Sequence, residues 1–139
     1  MPEEIVDYNQ LVESAKSAQQ RAYAPYSKFP VGAALRCKSG AVYTGCNVEN
    51  VSFGLTLCAE RAAVTAAIAK GDRDFVALAV VTNSKQPAVP CGACRQVLAE
   101  FKPDLKIVSA TWGGEMQEFD LSTLLPCSDQ GILDTRSDV

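Results

Sequence analysis

The run DFVALAVVT (74–82) carries seven consecutive apolar residues, Phe75 to Val81. A continuous apolar stretch of that length reads as a strand buried on both faces. It is far too short to span a bilayer. On either side stands a helical pattern: 58–70, stopped by Gly71, and 91–102, stopped by Pro103. A strand that must be covered on both faces, with a helix before and after it, calls for a layered α/β domain.

The remaining segments fit that demand. Ile5, Tyr8, Leu11, Val12, Ala15, Ala18 and Ala22 recur at helical spacing over 4–23, and Pro25 closes the run. PVGAALRCK (30–38), Ser39-Gly40 and AVYTGCN (41–47) read as a β-hairpin, and 48–57 as irregular. LKIVSAT (105–111), a turn at Gly113-Gly114 and EMQEFDL (115–121) form a second hairpin, followed by a short helical LSTLLP. The order α-β-β-α-β-α-β-β predicts one mixed sheet with helices on both faces. At 139 residues the chain is a single domain, 1–139, with a polar tail over about 127–139.

Composition narrows the partners. A hydrophobic fraction of 47% with 21% charged residues describes a soluble globular protein. Net charge is −3 and the pI about 4.9, with the basic residues scattered, which disfavours nucleic acid as a ligand. The acidic start MPEEIVDYNQ has neither the basic nor the apolar region of a signal peptide, so the expectation is a cytoplasmic protein with no membrane partner.

Histidine is absent and there are six cysteines. That excludes Ser-His-Asp and Cys-His nucleophilic sites and leaves Cys, Asp and Glu as the available metal ligands. Cys91 and Cys94 open one helix pattern and Cys58 the other. Helix N-termini lower a thiol's pKa, and thiolate is the metal-binding form. Two helices that each follow a sheet element can bring their starts together at one sheet edge, where three thiolates form a zinc site lacking one ligand. An open fourth position marks a catalytic zinc, whose water has a pKa of about 7. Glu60, two residues past Cys58, points to another side of the helix and suits a general base better than a fourth ligand. Arg61 and the helix dipoles offset the excess thiolate charge.

Other readings stand beside this one. A CxxC alone also serves thioredoxin-like redox chemistry. A closed four-cysteine structural site would recruit Cys46 or Cys37, although both lie in strand patterns and read as small core residues. Cys127 follows a proline near the tail and reads as incidental. Taken singly, Glu60 is a solvated helix-face carboxylate and Arg61 a surface ion-pair partner.

CAE (58–60) with PCGAC (90–94) resembles the zinc-dependent deaminases of nucleobases, whose pattern is H-x-E…P-C-x-x-C. Cysteine in place of the histidine is similar to the free-nucleoside branch, the cytidine deaminases. YAPYSKFPVGAAL (23–35), GCNVEN (45–50), LCAER (57–61), PCGACRQV (90–97) and LLP (124–126) follow that family's order and spacing over most of the chain. The resemblance implies a three-layer α/β/α fold with a five-stranded mixed sheet of order 2-1-3-4-5. It implies one Zn2+ per subunit on Cys58, Cys91 and Cys94, with Glu60 as proton shuttle. The reaction it implies is hydrolysis of cytidine and deoxycytidine to uridine, deoxyuridine and ammonia, in pyrimidine salvage.

For the substrate, the resemblance implies that Phe29 packs on the pyrimidine and that the Ala59 backbone meets the base edge. Asn47 and Glu49 match the contacts to the ribose 3′-hydroxyl, and Arg61 the arginine that bonds the zinc thiolates. It also implies a homotetramer whose pockets are completed across subunits near Val51, Phe53 and Asp129. Two positions depart from the family: Phe53 stands where tyrosine is usual, and Asp129 where an aromatic is usual. Rival substrates of the same chemistry are an aminonucleoside antibiotic, an N4-substituted cytidine or a base in RNA. The rival from another class is a non-catalytic zinc module.

Overall fold

The computed structural model describes residues 5–130. Ten elements follow one another: helix α1 (Tyr8–Gln19), strands β1 (Gly32–Cys37) and β2 (Val42–Cys46), and a short 3-10 turn (Phe53–Leu55). Then come α2 (Ala59–Ala69), β3 (Phe75–Thr82), α3 (Gly92–Phe101), β4 (Lys106–Thr111), β5 (Met116–Asp120) and α4 (Leu121–Leu124). The five strands form one sheet in the order β2-β1-β3-β4-β5. Only β3 and β4 run parallel, joined by α3 as a crossover; the other three pairings are antiparallel. The mixed sheet is the one the order of elements predicts, and the strand order is the one the family resemblance implies.

Side-chain alternation on the strands sorts the core into two layers. Ala34, Ala77, Ala79, Val81, Val108 and Ala110 face α1, where they meet Leu11, Val12 and Ala15. Leu35, Leu78, Val80 and Ile107 face the other way, onto Ala63, Val64 and Ala67 of α2 and Leu98 of α3. The run 75–81 is apolar throughout because β3 lies in mid-sheet with a helix layer on each side. Each fully buried leucine, such as Leu35, Leu78 or Leu98, contributes about 1.5–3 kcal/mol.

The first helix is shorter than its apolar spacing predicts. The Asp7 side chain caps it by accepting from the Gln10 N–H at 3.1 Å, so residues 5–7 stay outside. Its far end loosens into i→i+3 turns, Arg21 N–H to Ala18 C=O and Ala22 N–H to Gln19 C=O, ahead of Pro25. Residue 4 lies outside the described residues, as do 131–139 of the expected tail. Helix α2 stops where predicted: Gly71 takes φ +84, and the N–H groups of Gly71 and Asp72 bond the carbonyls of Ile68 and Ala67.

Two features place the start of α2. A Cβ on Gly45 of β2 would sit 2.5 Å from the Ala59 carbonyl and 2.6 Å from the Ala63 N–H, so only glycine lets the helix lie this close to the strand. The segment before the helix is pinned by bridges Tyr23–Val48 and Val48–Leu57, which make 48–57 a defined rim although it holds no strand.

Candidate active site

Helices α2 and α3 begin at the same sheet edge. Cys58 is the N-cap of α2 and Cys91 the N-cap of α3, both with extended backbone angles and neither using its side chain to cap its helix. Cys94 is fully buried in the first turn of α3. The three sulfurs lie within 4.8 Å of one another, and the Cys91 and Cys94 sulfurs are 3.4 Å apart. Tetrahedral zinc with Zn–S bonds of about 2.3 Å separates its sulfurs by about 3.8 Å. Three thiolates at these positions therefore fit that ion. Among the described residues, Cys37, Cys46 and Cys127 stay outside the cluster, so no fourth thiol closes it.

The electrostatics favour a thiolate. The hydrogen bond from Cys94, and then the Arg61 guanidinium, hold the Cys58 thiol down at about 5 against the effect of its burial. The same bond and burial push Cys94 up. Arg61 donates to the Cys58 sulfur at 3.2 Å and to the Thr56 carbonyl at 3.4 Å, which is not the surface ion pair that its position in the sequence alone suggests. Its charge lies against the Cys58 sulfur, and its side chain is not part of the lining of the adjoining cavity.

Beside the sulfurs is a cavity of about 210 Å3, lined by Phe29, Val31, Asn47, Ala59, Glu60, Val80, Thr82 and Val89 together with the three cysteines. Glu60 is 6% exposed, and burial raises its carboxyl to about 7, with the Cys58 charge adding to the rise. It is therefore no solvated helix-face carboxylate. Clefts of about 530 and 650 Å3 lie elsewhere on the surface, so volume does not select this place. The convergence of thiols and a buried carboxyl does.

The cavity thus gathers Cys58, Cys91, Cys94, Glu60, Ala59, Phe29 and Asn47. The Asn47 amide braces its mouth: Oδ1 accepts from Val31 N–H at 2.9 Å and Nδ2 donates to the Phe29 carbonyl at 3.0 Å. One donor and one acceptor position on that amide remain. Glu49 stands at the rim rather than in the lining, accepting from the N–H groups of Tyr26 and Ser27 at 3.0 and 3.1 Å and from the Ser27 hydroxyl, which lowers its pKa. Val51 and Phe53 are 76% and 73% exposed on the 48–57 rim, and Asp129 is exposed in the segment that follows α4. These three do not enter the cavity of their own chain.

Residues 6–111 match the family described as the cytidine and deoxycytidylate deaminase zinc-binding region. The chain belongs to that family. A cytidine deaminase of Halalkalibacterium halodurans is 51% identical over 122 residues, covering 87% of this chain and 92% of the relative. One of Sporosarcina psychrophila is 46% identical, covering 87% and 90%. The crystal structure of cytidine deaminase from Burkholderia pseudomallei superposes with a TM-score of 0.85 at 48% identity, covering 88% of this chain and 98% of that one. The family's zinc-binding region and the three-thiol cluster agree on one Zn2+ per subunit.

Sequence reasoning missed three contributors. Thr82 is the polar end of the apolar β3 run and lines the cavity, a break in pattern that could have marked it. Gly45 lies inside GCNVEN, yet nothing local shows that its missing side chain seats a helix. Arg95, inside PCGACRQV, donates to the Pro90 and Leu124 carbonyls, and nothing in the local sequence marks it.

Proposed function

We propose that this chain hydrolyses cytidine and deoxycytidine to uridine and deoxyuridine with release of ammonia. The observation that carries the reading is Glu60, a carboxyl buried in the same apolar cavity as three converging thiols. In this reading Cys58, Cys91 and Cys94 hold Zn2+. When bound, the ion supplies a Lewis acid that brings the pKa of a water to about 7, so that hydroxide is available at neutral pH.

Glu60 does the proton work. It takes the proton of the attacking water and delivers it to N3 of the pyrimidine as the oxygen adds to C4. It then carries the remaining hydroxyl proton to the amino nitrogen, the C4–N4 bond breaks, and ammonia leaves as the carbonyl forms. A carboxyl whose burial holds it near neutrality is suited to both transfers. Phe29 packs on the ring, the Ala59 backbone meets its polar edge, and Asn47 and Glu49 receive the ribose. Glu49 also disfavours a 3′-phosphate by like charge, which separates a free nucleoside from an RNA base. Arg61 balances the thiolates.

The same reading assigns residues 1–139 to one domain and the protein to pyrimidine salvage in the cytoplasm. Among the described residues no helix is long and apolar enough to cross a membrane. The reading extends to a homotetramer with shared sites, and the size of the cavity supports it: about 210 Å3 falls below the roughly 300–1,000 Å3 of complete small-molecule sites. Val51, Phe53 and Asp129 are the residues a neighbour would receive. The test is ammonia release by the zinc-loaded protein across cytidine, deoxycytidine, cytosine, deoxycytidylate, N4-methylcytidine and adenosine. Turnover of the first two above all others is expected. Silence on both, with turnover of another member, would sink the assignment.

A further inference from the structure

The Arg95 side chain makes two hydrogen bonds that no zinc chemistry explains directly. Nε donates to the Pro90 carbonyl at 2.8 Å, and one terminal nitrogen donates to the Leu124 carbonyl at 3.1 Å. Its backbone N–H bonds the Cys91 carbonyl at 3.0 Å. The two peptide groups that flank Cys91 are therefore both held by one residue, one from the side chain and one from the main chain. Cys91 needs such a hold. It is an exposed N-cap with no side-chain capping bond, and its sulfur meets the Cys94 sulfur at 3.4 Å, so the direction of its Cα–Cβ bond depends on the backbone that carries it. Pro90, before it, brings no N–H with which to anchor the turn.

We propose that Arg95 is the positioning residue of the metal centre: its guanidinium clamps the Pro90–Cys91 turn to the end of α4 and so aims the Cys91 sulfur. The Leu124 carbonyl belongs to the last turn of α4 and has no partner within that helix, so a charged donor satisfies a group that would otherwise face the domain unpaired. The neighbouring Gln96 side chain reaches the Ser128 carbonyl at 3.3 Å, which extends the clamp along the chain that follows α4. The two arginine bonds leave different nitrogens of a planar fork toward carbonyls on different elements. A lysine ammonium carries its donors on one nitrogen at the end of a flexible stem and lacks the spread fork that spans both carbonyls. Arg61 acts on the sulfurs themselves, Arg95 on the backbone that carries one of them.

The inference rests on the three-cysteine reading of the zinc site, and the experiment separates the two. Zinc-loaded wild type, Arg95→Ala and Arg95→Lys are mixed with a chromogenic chelator and the release rate is followed. The Co2+-substituted proteins are compared by their thiolate-to-metal absorption. Removing an outer partner of a metal site typically weakens it about 10- to 100-fold. Release from Arg95→Ala is expected to be faster by that factor, with an altered cobalt spectrum and Arg95→Lys in between. Leu11→Ala, on α1 across the sheet, supplies a variant of lowered stability and should release zinc at the wild-type rate. Wild-type release and spectrum in Arg95→Ala would overturn the proposal, as would equally fast release from Leu11→Ala. If Arg95→Ala does not fold, wild-type release from Arg95→Lys overturns it. Wild type without stoichiometric zinc would sink the three-cysteine site itself.

Discussion

Glu60 owes its properties to its place more than to its type. At 6% exposure, beside sulfurs rather than water, burial brings its carboxyl to about 7. Glu60→Gln keeps the shape and removes the ability to accept a proton. Losing one general acid–base group costs roughly 10²–10⁴-fold in rate. Because Glu60 serves both transfers, kcat is expected to fall by more than that, with zinc content and Tm retained. A variant with wild-type kcat would remove Glu60 from the mechanism. At this scale much was legible from the sequence: with no histidine present, the cysteines at two helix starts and the carboxylate two residues on left few chemistries open. Burial was not legible. Nothing in CAER says that Glu60 turns inward and that Arg61 reaches back to the Cys58 sulfur.

At the scale of elements, periodicity located every strand, while helix ends depended on caps. Asp7 truncates α1 at one end, and i→i+3 turns do so at the other. The seating of α2 rests on Gly45, a contact between segments that no local pattern encodes. Gly45→Ala would press a methyl against the Ala59 carbonyl, at 2.5 Å for an ideal position. Overpacking of this kind costs about 1–3 kcal/mol. Because the displaced helix start carries Cys58 and Glu60, kcat per folded molecule should drop along with Tm. A lower Tm with unchanged kcat would mean that the helix start tolerates the shift. At the opposite end of the sheet, Asp120 caps α4 through Ser122 and pairs with Lys106. Lys106 first, then Ser122, lowers its pKa from 3.8 to about 2. A carboxyl depressed by folding stabilises the fold above its ordinary pKa and ceases to do so as pH falls through the folded value. The stability difference between wild type and Asp120→Asn should therefore be full above about pH 4 and shrink toward pH 2. A difference that stays constant across that window would show that the carboxylate charge contributes nothing.

For the whole molecule the decisive feature is what one chain leaves uncovered. Val51, Phe53 and Leu55 are 76%, 73% and 71% exposed on one short rim, with Val48 and Tyr26 about half exposed beside them. Isolated exposed apolar residues are ordinary, but a contiguous group next to a binding cavity marks a surface that is covered in the working protein. The rim is also pinned, by the bridges through Val48 and by the T-shaped contact of Tyr26 with Phe53 at 6.0 Å. A fixed apolar surface suits a permanent interface better than a moving lid. The cavity it borders is small, so the surface that hides these side chains can also complete the walls around a nucleoside. This argues for an interface between chains, as the proposed shared-site homotetramer requires; the number four comes from the family resemblance alone. Light scattering should give four chains per particle at working concentration. Phe53→Glu places a charge where burial is required, so that variant should run as a smaller species and lose activity steeply on dilution. An active wild-type monomer, or a Phe53→Glu variant that stays tetrameric and fully active, would place the rim outside any interface.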